Sequence, residues 1–299
     1  MPPLHHQPVL LNETASFVSL VRSGIFLDAT LGFGGHAEAS LAANPALQLI
    51  GIDQDDEALN AAKERLGNQV EYLQGNFAEM DRLLAKIGIQ SVDGILMDIG
   101  VSSWQLDRPE RGFSYAADGP LDMRMDQSAN LTAAGVVNSY VERQLGDLFF
   151  RYGEERFSRK IAKKIVETRR QIPLTRTSQL SELIVDCYPA ALRHKRPHPA
   201  TRIFQALRIE VNDELNALEQ GMEAALKLLN PDGILVIITF HSLEDRLVKW
   251  RFRQASTEGF EVLTKKPLVA GSAELAANPR ARSAKLRAMR RIESDARLR

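Results

Sequence analysis

The chain has 299 residues, 44% hydrophobic and 25% charged, with 38 basic and 38 acidic residues and no net formal charge. That is the profile of a globular protein of one large domain or two ordinary ones, with no apolar run long enough to cross a membrane. A single cysteine, Cys187, excludes an internal disulfide framework and a zinc–cysteine site, and no basic segment followed by an apolar core opens the sequence, so a cytoplasmic protein without a leader is expected.

The first element is Gly24-Ile25-Phe26-Leu27, an apolar run that reads as a buried strand. It leads into Asp28-Ala29-Thr30-Leu31-Gly32-Phe33-Gly34-Gly35-His36, and residues 36–43 have helix-forming composition. A strand, a glycine-rich turn and a helix form the nucleotide-binding opening of a doubly wound α/β domain. The spacing is G-x-G-G rather than the G-x-G-x-x-G of dinucleotide enzymes, and Asp28 stands four residues before the first glycine. An acid there repels a diphosphate and attracts an ammonium or sulfonium group. S-adenosylmethionine carries both; NAD is the alternative, weakened by the missing third glycine.

Leu47-Gln48-Leu49-Ile50-Gly51-Ile52 is a second strand ending at Asp53, 21 residues after Gly32. At that distance a Rossmann-type fold sets an acid on ribose hydroxyls. A helix follows from Asp55-Asp56-Glu57, whose acids suit its N-terminal dipole. Val70-Glu71-Tyr72-Leu73 is a third strand, and Phe77 beyond it can pack on an adenine face. Residues 80–87 read as helix. Val92-Asp93-Gly94-Ile95-Leu96-Met97 is a fourth strand ending at Asp98. Gly34, Gly35 and His36 would offer backbone N–H groups to the ligand's carboxylate.

The next comparable strand, Gly233-Ile234-Leu235-Val236-Ile237-Ile238-Thr239-Phe240, comes more than a hundred residues later, after a helix over 214–229 and an Asn230-Pro231-Asp232-Gly233 turn. One crossover needs far fewer residues. An inserted helical domain is therefore expected over 108–208, with helices over 136–150, 156–170 and 178–190. The α/β parts would be 1–107 and 209–299, closed by two antiparallel strands at 261–264 and 284–290. Residues 151–208 hold 14 Lys/Arg against 5 Asp/Glu, and residues 280–299 hold 8 against 2. Such blocks suit a polyanion at one face, or simply a solvated helix surface.

Asp98, Ser102 and Ser103, in Asp98-Ile99-Gly100-Val101-Ser102-Ser103-Trp104-Gln105, are the candidate catalytic residues. An exocyclic base amine is a poor nucleophile until an acceptor such as Asp98 takes its hydrogen bond and favours a tetrahedral nitrogen. Carbon-5 methylation of cytosine would need a cysteine nucleophile. Cys187, inside the helical stretch, reads as a core residue. Ser242-Leu243-Glu244-Asp245 fits a helix capping box with Ser242 as the cap. His241 is open to a role in the pocket or in structure, and Asp122 and Asp126 around Arg124 suit an ordered loop.

The chain then resembles a family. His6-Gln7-Pro8-Val9-Leu10-Leu11-Asn12-Glu13, the stretch from Asp28 to His36, Asp98-Ile99-Gly100-Val101-Ser102-Ser103, Glu110-Arg111-Gly112-Phe113-Ser114 and Asp118-Gly119-Pro120-Leu121-Asp122-Met123-Arg124-Met125 carry the likeness. So do Tyr152-Gly153-Glu154-Glu155-Arg156, His198-Pro199-Ala200-Thr201-Arg202, Phe240-His241-Ser242-Leu243-Glu244-Asp245-Arg246 and Asn278-Pro279-Arg280-Ala281-Arg282-Ser283. Together they are similar to the bacterial small-subunit (16S) ribosomal RNA cytosine-N4 methyltransferases, the RsmH (MraW) family. The resemblance implies a doubly wound, Rossmann-like class I methyltransferase sheet, S-adenosyl-L-methionine as donor, and a cytosine in the decoding region as acceptor. It places cofactor contacts on Gly34, Gly35, His36, Asp53, Phe77, Asp98 and Gln105. Trp104 is a bulkier residue than the family suggests at its position.

For RNA contact the candidates are Lys195, Arg196, His198, Arg202, Arg280 and Arg282, with His194 beside them. The expected partner is small-subunit ribosomal RNA, as naked RNA or within the assembling particle, with no metal and with the protein as monomer or homodimer. Two other classes stay open: a DNA amino-methyltransferase, and a non-enzymatic RNA-binding protein with a vestigial nucleotide fold.

Overall fold

The structure is a computed structural model describing residues 8–193 and 195–293. His6, Gln7 and His194, named above, lie outside the described residues. The chain begins α1 (Leu11–Val18), β1 (Gly24–Asp28), α2 (Gly35–Ala43), β2 (Leu47–Asp53), α3 (Asp56–Leu66), β3 (Val70–Gln74), α4 (Met80–Lys86) and β4 (Val92–Asp98). Helices α5 (Ser103–Asp107), α6 (Ala133–Ser139), α7 (Glu142–Gly153), α8 (Ser158–Arg169), α9 (Thr177–Cys187) and α10 (Ala200–Val211) follow. It closes with α11 (Glu214–Leu228), β5 (Leu229–Thr239), α12 (Ser242–Ala255), β6 (Phe260–Val262), α13 (Ser272–Ala277) and β7 (Lys285–Arg291). Contacts divide it into two units, one of Met1–Gly100 with Leu215–Arg299, the other of Val101–Glu214. No described helix is long and apolar enough to cross a membrane.

The first unit holds one seven-stranded sheet in the order β3-β2-β1-β4-β5-β7-β6. The strands from β3 to β5 are parallel, while β7 is antiparallel to β5 and β6 to β7. Parallel strands covered on both faces need apolar residues on both. Leu27, Ile50, Ile52, Ile95, Met97, Leu235 and Ile237 pack with Leu83, Leu218, Met222, Val248 and Phe252. Their alternates Phe26, Leu49, Leu96, Val236 and Ile238 pack with Val18, Ala37, Leu59 and Ala62. The strand order reverses between β1 and β4, the switch point beside which such sheets bind ligands.

The turn expected at 230–233 lies inside β5. Val92 pairs with Leu229 and Gly94 with Ile234, so four residues stand opposite Asp93 alone and three of them are extra. Asp93 holds this irregularity: its Oδ1 accepts from Asn230 Nδ2 at 2.9 Å and its Oδ2 from the Ile25 N–H at 2.8 Å.

The second unit has its own core, with Leu145, Phe149, Ile161, Ile165, Leu180, Ile184, Ile203 and Leu207 buried together. The helix expected over 136–150 is two helices. Tyr140 and Val141 are extended, and Gln144 Oε1 accepts from the Val141 N–H at 3.0 Å, so a new helix starts there. Tyr140 leaves the helical path to donate its hydroxyl to Glu210 Oε1 at 2.7 Å. Cys187 is a buried member of this core, and burial raises its thiol pKa.

The cap of α12 is also not the one expected. His241, not Ser242, is the capping residue: its Nδ1 accepts from the Glu244 N–H at 3.3 Å, and Glu244 Oε2 accepts from the N–H of His241 at 3.2 Å. The box is shifted by one because Glu244 Oε2 also accepts from the Phe240 N–H at 2.8 Å, where β5 ends.

Asp245, the next residue, ties α12 to β7. It accepts from Lys285 Nζ at 2.9 Å and Arg287 Nε at 2.8 Å, and burial raises its pKa less than these two cations lower it. Asp245→Ala strands Arg287, which is 8% exposed. Removing one partner of a buried pair costs about 3 kcal/mol. Chemical denaturation should register that loss. In the wild type the depressed pKa makes this contribution full above pH ~4 and lost as pH falls below it.

Candidate active site

Three carboxylates end three adjacent parallel strands: Asp28 on β1, Asp53 on β2 and Asp98 on β4. The loop after β1 holds each of them. The Thr30 N–H donates to Asp28 Oδ1 at 3.2 Å, and Thr30 Oγ1 accepts from the Asp98 N–H at 2.6 Å. The Gly32 N–H donates to Asp53 Oδ2 at 2.8 Å, and the Asp55 N–H to Asp53 Oδ1 at 2.9 Å. Gly34 then turns the chain into α2 with φ +75°, where a side chain is strained, and a Cβ on Gly35 would stand 2.4 Å from Pro8 Cγ. The glycine spacing is thus set by backbone direction and by the protein's own packing.

His36 is the second residue of α2, and its ring is buried beside these acids, Nε2 lying 3.5 Å from Asp98 Oδ2. Burial works against its charge, but the neighbouring carboxylates of Asp98 and Asp28 more than offset that, and its pKa is raised. Asp28 is 1% exposed. Burial pushes its pKa up to about 7 against the opposing pull of His36 and the Thr30 N–H. Burial likewise raises Asp53 to about 6, opposed by the N–H groups of Asp55 and Gly32. Asp28 Oδ2 and Asp98 Oδ1 are buried without a hydrogen-bond partner. A buried acceptor left unmatched costs about 1–3 kcal/mol, more when charged. These two oxygens fit a ligand bearing a donor and a positive charge, as an ammonium or sulfonium does.

The other expected cofactor residues sit as follows. The Gly34 N–H donates to the Leu31 carbonyl at 2.9 Å, so Gly35 and His36 are better placed to offer N–H groups. Phe77 is half-buried on the sheet core, with a Gly221 Cβ position 2.6 Å from its ring. Asn76 fixes the turn before it, accepting from the Ala78 N–H at 2.9 Å and donating to Gln54 Oε1 at 3.1 Å.

Ser102, Ser103 and Gln105 belong to the second unit. Ser102 caps α5: its Oγ accepts from the Gln105 N–H at 3.2 Å, while Gln105 Oε1 accepts from the Ser102 N–H at 3.1 Å. Trp104 lies under Arg108, whose guanidinium carbon is 3.8 Å from the ring centroid. Arg124 is the hub of its loop, gripping Asp122 with two bonds and donating to the carbonyls of Gln127 and Ala129 at 2.8 and 2.7 Å.

Among the basic candidates, Lys195 and Arg196 are exposed in the second unit, and Arg280 and Arg282 are exposed in the turn after α13 of the first. Arg202 donates to the Glu154 carbonyl at 3.2 Å and lies 3.9 Å from Glu155. His198 stacks on Tyr115, centroids 4.7 Å apart, and its Nδ1 accepts from the Ala200 N–H at 3.2 Å. Burial lowers its pKa, so it is a neutral, stacked cap of α10 near pH 7.

Sequence reasoning missed two residues of the acid cluster. Thr30 was passed over although it joins Asp28 to Asp98, and His36 was given only a backbone role. The available signal was an ionisable ring two residues into a helix that starts between strand-end acids.

Family and sequence comparisons cover nearly the whole chain. A model of the MraW methylase family matches residues 3–292. A ribosomal RNA small subunit methyltransferase H from Acaryochloris marina is 51% identical over 292 residues, covering 96% of this chain and 95% of its own. The protein of the same name from Carboxydothermus hydrogenoformans is 47% identical over 306 residues, covering 96% and 98%. A solved rRNA methylase from Streptococcus thermophilus superimposes over 95% of this chain with a TM-score of 0.44 at 11% identity.

Asp28 with a raised pKa keeps a proton on folding that the unfolded chain releases above pH ~4, so it lowers stability as pH climbs from there toward 7. His36, also raised, loses its contribution as pH rises, in the same direction. Melting of the ligand-free protein should therefore drop between pH 5 and 8, and Asp28→Asn should flatten that drop by roughly 5 °C or more. Parallel curves for the two proteins would contradict a buried charge at Asp28.

Proposed function

The chain belongs to the MraW methylase family, and on that premise we propose that it transfers a methyl group from S-adenosylmethionine to the exocyclic N4 of a cytosine in small-subunit ribosomal RNA. The observation that carries the donor assignment is the pair of unmatched buried oxygens, Asp28 Oδ2 and Asp98 Oδ1, in a cluster of three strand-end acids. When bound, the donor supplies a methyl carbon activated by sulfonium for in-line displacement.

The residues supply the rest. Asp28 and Asp98 attract the cationic part of the donor. Asp53, held in place by two backbone N–H groups, has lone pairs left for ribose hydroxyls. Phe77 offers a ring to the adenine. The N–H groups of Gly35 and His36, at the start of α2, suit the donor's carboxylate. Asp98 Oδ1 accepts a hydrogen bond from the cytosine amine and favours a tetrahedral nitrogen whose lone pair points at the methyl carbon. The His36 ring stands beside the other oxygen of Asp98, with Nε2 3.5 Å from Oδ2. Orientation of this kind is worth effective molarities of about 10⁵–10⁸ M. Ser102 and Ser103, four and five residues after Asp98, would shape the acceptor side.

The acceptor is nitrogen rather than carbon because Cys187, the one cysteine, is buried in the core of the second unit. The target base has to be unstacked to reach any such pocket. Lys195, Arg196 and Arg202 in the second unit and Arg280 and Arg282 in the first are proposed to hold the RNA backbone. His198 would act there by stacking and by shaping the loop rather than by charge.

The decisive experiment incubates the protein with labelled donor and small subunits from cells lacking it, and maps the modified nucleotide. A methyl group on anything other than cytosine N4 overturns the proposal. Asp98→Ala should lower kcat by about 10² or more, whereas Asp53→Ala should mainly weaken donor binding by calorimetry, by about tenfold or more. Cys187→Ser should retain turnover, since a carbon-5 mechanism alone needs the thiol.

A further inference from the structure

Helix α12 carries an aromatic and basic surface away from the acid cluster. Its buried side is Glu244, Val248, Arg251, Phe252 and Ala255. The opposite side exposes Arg246, Lys249, Trp250 and Arg253. Those positions follow the i, i+3, i+4, i+7 pattern of one helix face. Trp250 is 54% exposed, although the apolar residues Val248, Phe252 and Ala255 of the same helix are buried. Its ring meets no other ring or guanidinium among the described residues, and Lys249 and Arg253 form no ion pair there. The helix's own acids are taken up elsewhere: Glu244 is buried in the cap and Asp245 is held by Lys285 and Arg287.

We propose that this face of α12 docks the RNA substrate, with phosphates on Lys249 and Arg253 and an unpaired base stacked on Trp250. The proposal rests on the reading of the protein as a ribosomal RNA methyltransferase. Cations tracking a backbone with an aromatic platform between them are how proteins hold unpaired strands. The helix also starts in the right place. Ser242 follows the carboxyl end of β5, the sheet edge that bears the strand-end acids. At 1.5 Å per residue, Trp250 lies about 12 Å and Arg253 about 17 Å along α12 from that edge. A strand leaving the acid cluster would meet these residues in turn. A second copy of the chain fits poorly, because a two-fold contact would set two cations against two.

The test measures binding of small subunits from cells lacking the protein, across a range of salt, for wild type, Trp250→Ala, and Lys249→Gln combined with Arg253→Gln. All three side chains are exposed, so melting and donor calorimetry should match wild type and report intact folding. Trp250→Ala should weaken binding roughly 5- to 150-fold. The double variant should reduce the log–log salt slope by about 1.4 to 1.8. Unchanged affinity and slope, with the wild type still methylating the subunits, overturn the α12 surface and leave the enzyme reading intact. A wild type that methylates nothing on those subunits overturns the enzyme reading instead. Self-association of the wild type that is lost in Trp250→Ala would mean that the face serves a second copy, and also overturns RNA docking.

Discussion

Three carboxylates held at adjacent strand ends around one buried imidazole are the constraint on which the site depends. Charges of one sign gathered away from water repel, and each loses its hydration. The fold meets that cost in three ways. Thr30 and Gly32 aim backbone N–H groups at Asp28 and Asp53. His36 sets a cation beside Asp98 and within the field of Asp28. The remaining imbalance appears as raised pKa values, to about 7 for Asp28 and about 6 for Asp53. On the proposed function, a cationic ligand would match Asp28 Oδ2 and Asp98 Oδ1, so affinity for such a ligand would be the other side of what these buried oxygens cost the fold.

The loop after β1 shows how sequence becomes electrostatics. Its residues 28–36 do two jobs at once. The peptide groups of Thr30 and Gly32 point back at strand-end acids, while the Leu31 N–H continues the sheet by donating to the Ile52 carbonyl at 2.8 Å. Gly34 reverses direction in the left-handed region and gives its N–H to Leu31. Helix α2 can then start with its dipole toward the acids. A Cβ at Gly34 would lie 2.7 Å from Leu66 Cδ1, so α3 also fixes this turn. The G-x-G-G spacing therefore records a close packing of loop, α2 and α3.

The sheet was legible because β1, β2, β4 and β5 are short apolar runs closed by a turn or an acid, while β3 and the two edge strands β6 and β7 alternate apolar with polar residues, as half-covered strands do. The strand-end acids were legible because they close three of these apolar strands, although Asp28 and Asp53 also fix their own turns by accepting backbone N–H groups. Three features were not. The break at Tyr140 depends on Glu210, 70 residues away, which local periodicity cannot register. The cap at His241 depends on where β5 ends, and Ser242 is the better cap by residue type alone. The imidazole of His36 was invisible as a partner of Asp98 because 62 residues separate two side chains that only the sheet order brings together.

Charge counting shows the same limit from the other side. The block over 151–208 looks like a polyanion-binding surface, yet many of its cations are structural. Arg169 donates to the Val137 carbonyl at 2.6 Å, Lys160 to the Cys187 carbonyl at 2.7 Å and Arg193 to the Tyr188 carbonyl at 3.0 Å. Arg208 is locked to Glu214 by two bonds of 2.8 Å. These side chains satisfy carbonyls and carboxylates that burial would otherwise strand, and an arginine doing so has fewer donors for phosphate. Helix α12 stands out less in a count along the chain, because Glu244 and Asp245 offset two of its four cations in sequence. In space Glu244 is buried and Asp245 is held by Lys285 and Arg287, while Arg246, Lys249 and Arg253 are exposed. Which cations face an RNA is therefore decided by where the acids go, and that is a property of packing rather than of composition.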